Sequence, residues 1–353
     1  MRIHLTSVIL LCAAGCLLPP GARAQTMPDP ASMRGHYERI TVHAPSLVGN
    51  LEGDSPDRNV SVYLPPGYER DRRSRYPVLY LLHGFTDSDG GWFGLYGQHF
   101  VNVPRATDRA YAAGVTEMII VMPEALTKYK GSLYSSSVTI GDWESFVTRD
   151  LVAYIDSHYR TLAQRASRGL AGHSMGGYGT LRLGMKHPQV FSSLYAMNPC
   201  CLAANLQPDP DAVARAARVT TDEEITAADF LVKAILASAA AWSPNPGNPP
   251  RYFDLPIVDG RLVPDTIAKW AANAPLAMLP QYAPNLRQFE AIAIDAADQD
   301  MPGIPDTVRT LDRALSDHGI AHTTELYEGD HVNRVEERLE KKVLPFFAQH
   351  LKH

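Results

Sequence analysis

Residues 168–188 read RGLAGHSMGGYGTLRLGMKHP, and the reading of this stretch decides the fold. Its first residues, with Ser167 before them, form a short apolar strand ending near Ala171. Gly172-His173-Ser174-Met175-Gly176 is a G-x-S-x-G turn, and an amphipathic helix runs at once from Met175 to Lys186, stopped by Pro188. A strand, a sharp turn and a helix in direct succession are the setting that holds a serine on a nucleophile elbow. Such a bend strains the serine backbone, so its neighbours must be glycines to avoid clashes. The hydroxyl then lies at a helix N-terminus, whose free N–H groups and dipole favour negative charge. The competing reading is a plain glycine-rich junction with a capping serine, and the surrounding chain weighs against it.

Working outward, apolar runs recur on both sides. Pro77–Leu82 (PVLYLL) and Met118–Met122 (MIIVM) are continuous, as strands buried on both faces require. Asn59–Leu64, Ser192–Met197, Ala291–Asp295 and Thr323–Tyr327 read as further strands. Between them, apolar residues at helical spacing predict helices over Asp142–His158, Val308–Asp317 and Asn333–Leu351. Strands alternating with helices predict an α/β fold with a mostly parallel central sheet flanked by helices. The stretch 200–287 breaks the rhythm: it predicts an alanine-rich helix near Asp222–Ala241, the run PNPGNPP at 244–250 and a short helix near Thr266–Ala272. It is too long for an ordinary connection of about 2–6 residues. It reads as a helical cap inserted over the C-terminal edge of the sheet, where open α/β sheets place their ligands.

The 353 residues carry 33 Lys and Arg against 38 Asp and Glu, with 45% hydrophobic and 20% charged residues. That composition excludes a disordered chain and a multi-span membrane protein. A net charge of −5 argues against a nucleic-acid partner, which would want a basic face. The N-terminus reads as a cleaved signal peptide over 1–24. Met1–His4 is a short basic start, 5–18 an apolar run, and Ala22-Arg23-Ala24 a small-residue cleavage site. A run of 14 residues is short for a membrane span of about 20. The expectation is therefore an exported protein, periplasmic or extracellular, without stable membrane insertion; an uncleaved anchor and a lipoprotein signal ending at Cys16 are the alternatives. Past residue 24 only Cys200 and Cys201 remain, and two adjacent cysteines build no disulfide framework. They read as two small buried thiols, with a vicinal disulfide as the alternative.

A serine hydroxyl needs a base to take its proton, and on such a sheet the partners follow in the order serine, acid, histidine. His331 stands after the last strand and before the last helix, where a loop brings an imidazole over Ser174. His173, inside the elbow, is expected to point away from the substrate. The acid belongs after the preceding strand, where Asp295, Asp298 and Asp300 lie. Asp295 ends the strand and points sideways; Asp300 is preferred and Asp298 is the alternative. The backbone N–H groups of Met175 and of Phe85, in the turn His83-Gly84-Phe85 after PVLYLL, are the candidate oxyanion donors. Trp242, Tyr252, Phe253 and Trp270 in the insertion, with Trp92 and Phe93 near the turn, read either as core or as a grip on an aromatic or sugar-linked ester.

Taken together, YLLHGFTDSDGGW at 80–92, DWESFVTRDLVAYIDSHYRT at 142–161, residues 168–199, IDAADQD at 294–300 and YEGDH at 327–331 resemble the putative-esterase family of α/β-hydrolases. That family includes S-formylglutathione hydrolases, feruloyl and acetylxylan esterases, enterochelin esterases and mycolyltransferases. The resemblance implies an α/β-hydrolase fold, Ser174 as nucleophile, His331 as base, Asp300 as acid, and Phe85 and Met175 as oxyanion donors. It implies no metal and no organic cofactor. The implied activity is a secreted serine esterase acting on a small-molecule or polysaccharide-linked ester, with feruloyl and acetyl esters leading. An acyltransferase using the same residues is the first rival and a non-catalytic binding protein the second. Ala297, where the family often has glycine, and Val332-Asn333, where an aromatic often follows the histidine, depart from the pattern.

Overall fold

The computed structural model describes residues 34–353, so the signal peptide read over 1–24 lies outside the described residues. Eight strands form one sheet: β1 His36–His43, β2 Asp57–Leu64, β3 Val78–Leu82, β4 Ile119–Pro123, β5 Arg168–His173, β6 Ser193–Met197, β7 Ala291–Ala297 and β8 Thr323–Tyr327. Their order is β1-β2-β4-β3-β5-β6-β7-β8. β1 pairs antiparallel with β2 and β2 with β4; every later neighbour is parallel. The sheet is therefore mostly parallel, as the alternation of elements predicts.

The apolar runs explain the two-sided burial. Val78, Tyr80 and Leu82 of β3 face one core with Phe146, Leu151 and Leu181. Leu79 and Leu81 face the other, with Val103, Val343 and Phe347. Alternate side chains of a strand point to opposite faces, so a central strand covered by helices on both sides must be apolar throughout. The closing helix packs closely enough that a Cβ built on Gly169 would lie 2.4 Å from the Phe347 ring.

The strand order also places the ligand crevice. The chain leaves β3 toward β4 on one side and reaches β5 on the other. Loops leaving the C-terminal ends of β3 and β5 thus diverge, opening a cleft at the switch point. Those loops are His83-Gly84-Phe85 and the turn at Ser174.

The insertion differs from its expected form. Five helices lie between β6 and β7: Pro210–Ala216, Asp222–Ala227, Phe230–Trp242, Pro264–Ala272 and Pro275–Leu286. The single helix expected near Asp222–Ala241 is two, because Asp229 starts a new one by accepting from the Val232 N–H. The last helix belongs to the layer on the sheet: Asn285 Nδ2 donates to the Met185 carbonyl at 2.7 Å. No helix of the described residues is long and apolar enough to cross a membrane.

Candidate active site

β5 delivers Ser174 into a turn at φ 57° and ψ −115°, and the helix Met175–Lys186 begins at the next residue. A left-handed backbone at a non-glycine residue costs about 1–3 kcal/mol and persists only where its surroundings impose it. Here they do. The Ser174 N–H donates to Met197 O at 3.0 Å, and the Ser174 carbonyl accepts from Tyr178 N at 3.0 Å and Cys200 N at 3.2 Å. The flanking glycines are required by close approach. A Cβ on Gly172 would lie 2.3 Å from the Gly176 carbonyl oxygen, and one on Gly176 would lie 2.0 Å from that of Leu82.

Two loops from the same sheet edge bring the partners. His331, after β8, places Nε2 2.9 Å from Ser174 Oγ. Its Nδ1 lies 2.6 Å from Asp300 Oδ1, after β7. A carboxylate only accepts, so the proton of the neutral imidazole is on Nδ1; Nε2 is then the acceptor facing the serine hydroxyl. The Asp300 side chain is wholly buried and that of His331 is 18% exposed. Asp300 Oδ1 also accepts from the Met301 N–H. Asp298 turns elsewhere and accepts from Gly329 N at 3.1 Å. Asp295 lies within β7, not at its end, and is buried there, accepting from Tyr195 and Arg338.

The backbone of His331 is itself anchored. Its carbonyl accepts from His173 Nε2 at 2.7 Å and from Asn198 Nδ2 at 3.2 Å. Burial, with the neighbouring His331, pushes the His173 pKa down to about 3. His173 therefore stays neutral and donates. Its ring lies buried beside that of His331, centroids 4.7 Å apart.

The turn after β3 is held as firmly. His83 Nδ1 donates to Gly84 O at 2.8 Å, and its Nε2 accepts from Ala125 N at 2.8 Å. In a trans peptide the C=O and the following N–H point opposite ways. Pinning Gly84 O to the buried His83 therefore aims the Phe85 N–H away from that imidazole. A Cβ on Gly84 would meet Ser174 Cβ at 3.5 Å, so this turn lies against the serine. Neither the Phe85 nor the Met175 N–H has a protein acceptor among the described residues.

Ser174 and His331 open into a cleft of about 470 Å³ walled by Phe85, Tyr96, His99, Phe100 and Phe230. Phe85 and Phe230 meet edge to face, centroids 5.5 Å apart. Asp87 accepts from Trp92 Nε1 at 2.7 Å and faces His99 Nε2 at 3.2 Å. Burial opposes its ionisation, but the hydrogen bonds from His99 and the Ser88 N–H outweigh it and hold the carboxyl below its usual range. Trp92 and Phe93 are buried core and do not line this cleft. Trp242 and Trp270 pack edge to face and wall a separate apolar cavity.

Sequence reading missed Asn198, Asp87, His99, Tyr96 and Phe230. Asn198 directly follows β6, and Asp87 lies within HGFTDSDGGW, so position in the fold could have drawn attention to both. Nothing local to Phe230 signals that it reaches Phe85.

A family model described as "Putative esterase" matches residues 55–335. The chain is 37% identical over 136 residues to an esterase of Mycobacterium tuberculosis, covering 38% of this chain and 27% of that protein. It is 32% identical over 163 residues to an endo-1,4-beta-xylanase/feruloyl esterase of Xylanibacter ruminicola, covering 44% of this chain and 20% of that protein. The match thus spans about a quarter or less of the length of either relative. Among solved structures, a ferulic acid esterase superposes with a TM-score of 0.62 at 21% identity, covering 91% of this chain and 100% of that one.

Proposed function

Because the chain belongs to the putative-esterase family, on an α/β-hydrolase fold, we propose that it is a serine carboxylic ester hydrolase with Ser174 as nucleophile. The observation that carries this reading is the continuous relay Ser174 Oγ, His331 Nε2, His331 Nδ1, Asp300 Oδ1, with links of 2.9 and 2.6 Å at the floor of an open cleft. His331 takes the Ser174 proton as Oγ attacks the ester carbonyl. The Phe85 and Met175 N–H groups receive the oxyanion. Asp300 holds the tautomer and stabilises the imidazolium without taking the proton. His331 then protonates the departing alcohol, leaving an acyl-enzyme. Water activated by the same imidazole releases the acid and restores Ser174.

The favoured substrates are esters with an aromatic acyl group, feruloyl esters foremost. Phe85, Phe100, Tyr96 and Phe230 give the cleft aromatic walls, and aromatic rings pair edge to face or offset with gains of about 0.5–1.5 kcal/mol each. The likeness to a xylanase/feruloyl esterase supports the same class. The helices between β6 and β7, apart from Pro275–Leu286, serve as the cap over this site, with Phe230 as the contact that reaches the cleft. Export rests on the sequence of residues 1–24 alone.

The test is labelling with a fluorophosphonate probe, followed by a screen of acetyl, feruloyl and aryl esters. The wild type labels at Ser174 and Ser174→Ala does not. Equal labelling of both, or turnover of no ester by a folded wild type, refutes the proposal.

A further inference from the structure

Cys200 and Cys201 follow β6 at the edge of the candidate site, and the relay described above uses neither. In an extended chain successive side chains point to opposite faces, so neighbouring thiols meet only where the backbone turns. It turns here: Cys201 has φ 59°. The two Sγ atoms lie 2.8 Å apart. Cys200 is half-buried against the core, its N–H donating to the Ser174 carbonyl at 3.2 Å. Cys201 is exposed and lines an apolar cavity of about 170 Å³ with Leu231, Ile235, Trp242 and Trp270.

We propose that Cys200 and Cys201 form a reversible thiol–disulfide modification site that reacts with low-molecular-weight disulfides at the wall of this cavity. The exposed Cys201 reacts first: its thiol loses a proton and its sulfur attacks one sulfur of the disulfide R–S–S–R. That bond breaks, one R–S⁻ leaves and takes up the proton, and a mixed disulfide remains on Cys201. Cys200 then loses its proton, attacks Cys201 Sγ and expels the second R–SH. Two protein thiols are oxidised and one external disulfide is reduced to two thiols. The order fits the chemistry of the pair, since the hydrogen bond to Cys201 and burial push the Cys200 thiol well up.

The product is a switch and not a permanent staple. Adjacent Cα atoms are about 3.8 Å apart across a trans peptide, below the roughly 4.4 Å at which ordinary disulfides begin. A bond closed across that spacing is strained, and strained, exposed disulfides are the easily reduced ones.

The assignment is independent of the esterase reading, and its test needs no activity. The full-length protein is incubated with excess glutathione disulfide, then denatured and alkylated with iodoacetamide. Cleavage after Lys186 and Arg215 puts both cysteines, and no other, on peptide 187–215. The expected wild-type peptide carries no alkyl group and has lost two hydrogen atoms; a dithiol reductant restores both alkylation sites. Cys200→Ser is expected to stop at a stable glutathione adduct on Cys201, and Cys201→Ser to gain no adduct before denaturation. A wild-type peptide that emerges alkylated twice, or that keeps a glutathione adduct, overturns the proposal.

Discussion

Replacing Asp300 by Asn isolates the electrostatic part of the relay. Asp300 Oδ1 accepts from two donors, His331 Nδ1 and Met301 N. An asparagine amide nitrogen at that place would face both donors, so the substituted side chain must turn its oxygen there. The His331 tautomer is then retained and the change is the lost charge. With an effective dielectric near 20 and roughly 4 Å between charge centres, a carboxylate stabilises the imidazolium by about 4 kcal/mol. That corresponds to a fall in kcat of roughly 10³-fold. The imidazole is neutral in the ground state, so KM should move little. The asparagine NH₂ takes the place of Oδ2, which is buried without a partner, and a stability loss of about 1–3 kcal/mol accompanies the substitution. Asp298→Asn touches only the Gly329 bond and should leave kcat within about threefold, since a single neutral-donor bond contributes roughly 1 kcal/mol. The assay is initial-rate hydrolysis of an aryl acetate by both variants and wild type, with urea midpoints to show that each is folded. A folded Asp300→Asn within tenfold of wild type, or Asp298→Asn with the larger loss, refutes the reasoning.

Three other outcomes follow from the geometry. Gly176→Ala forces a Cβ against the Leu82 carbonyl, a rigid neighbour. It should cost at least the roughly 1–3 kcal/mol of a typical overpacked site, read from the shift in urea midpoint, and should lower kcat. Phe230→Ala removes the ring facing Phe85 from a residue 54% exposed; it should raise KM for feruloyl esters by about three- to tenfold, the worth of one aromatic contact, and leave acetate KM and stability nearly unchanged. His173, with its pKa pushed down to about 3, binds a proton more readily unfolded, at about 6.5, than folded. Its contribution to stability is whole above pH 6.5 and is lost as the pH falls toward 3, with a slope of at most about 1.4 kcal/mol per pH unit. His173→Gln should flatten that slope in urea titrations between pH 4 and 7 (about the window just given); an unchanged slope contradicts the assignment of a neutral, buried imidazole.

Local chemistry made much of the sheet legible. PVLYLL and MIIVM are apolar without interruption because β3 and β4 are covered on both faces. Elements that obey weaker local rules were not seen. β1, an edge strand, is mostly half-exposed and carries no apolar run. Pro275–Leu286 holds Pro280 and Pro284 inside it; a proline inside a helix costs about 3 kcal/mol and argues against one, so tertiary packing on the elbow helix overrides propensity there.

By itself the sequence determined the serine on its bend. Gly172, Ser174 and Gly176 sit within one strand–turn–helix unit, and a unit that short imposes its own geometry. Only the tertiary structure decided which aspartate faces His331. Asp298 and Asp300 are two residues apart in one loop, and neither spacing nor residue type distinguishes them. The loop, tied at Asp298 to Gly329, turns Asp300 inward and leaves Asp298 as its brace. The aromatic wall from Phe230 and the meeting of the two cysteines are of the same kind. They depend on where distant or turning segments come to rest, and hydrophobic burial, which acts without direction, writes no local signal for that.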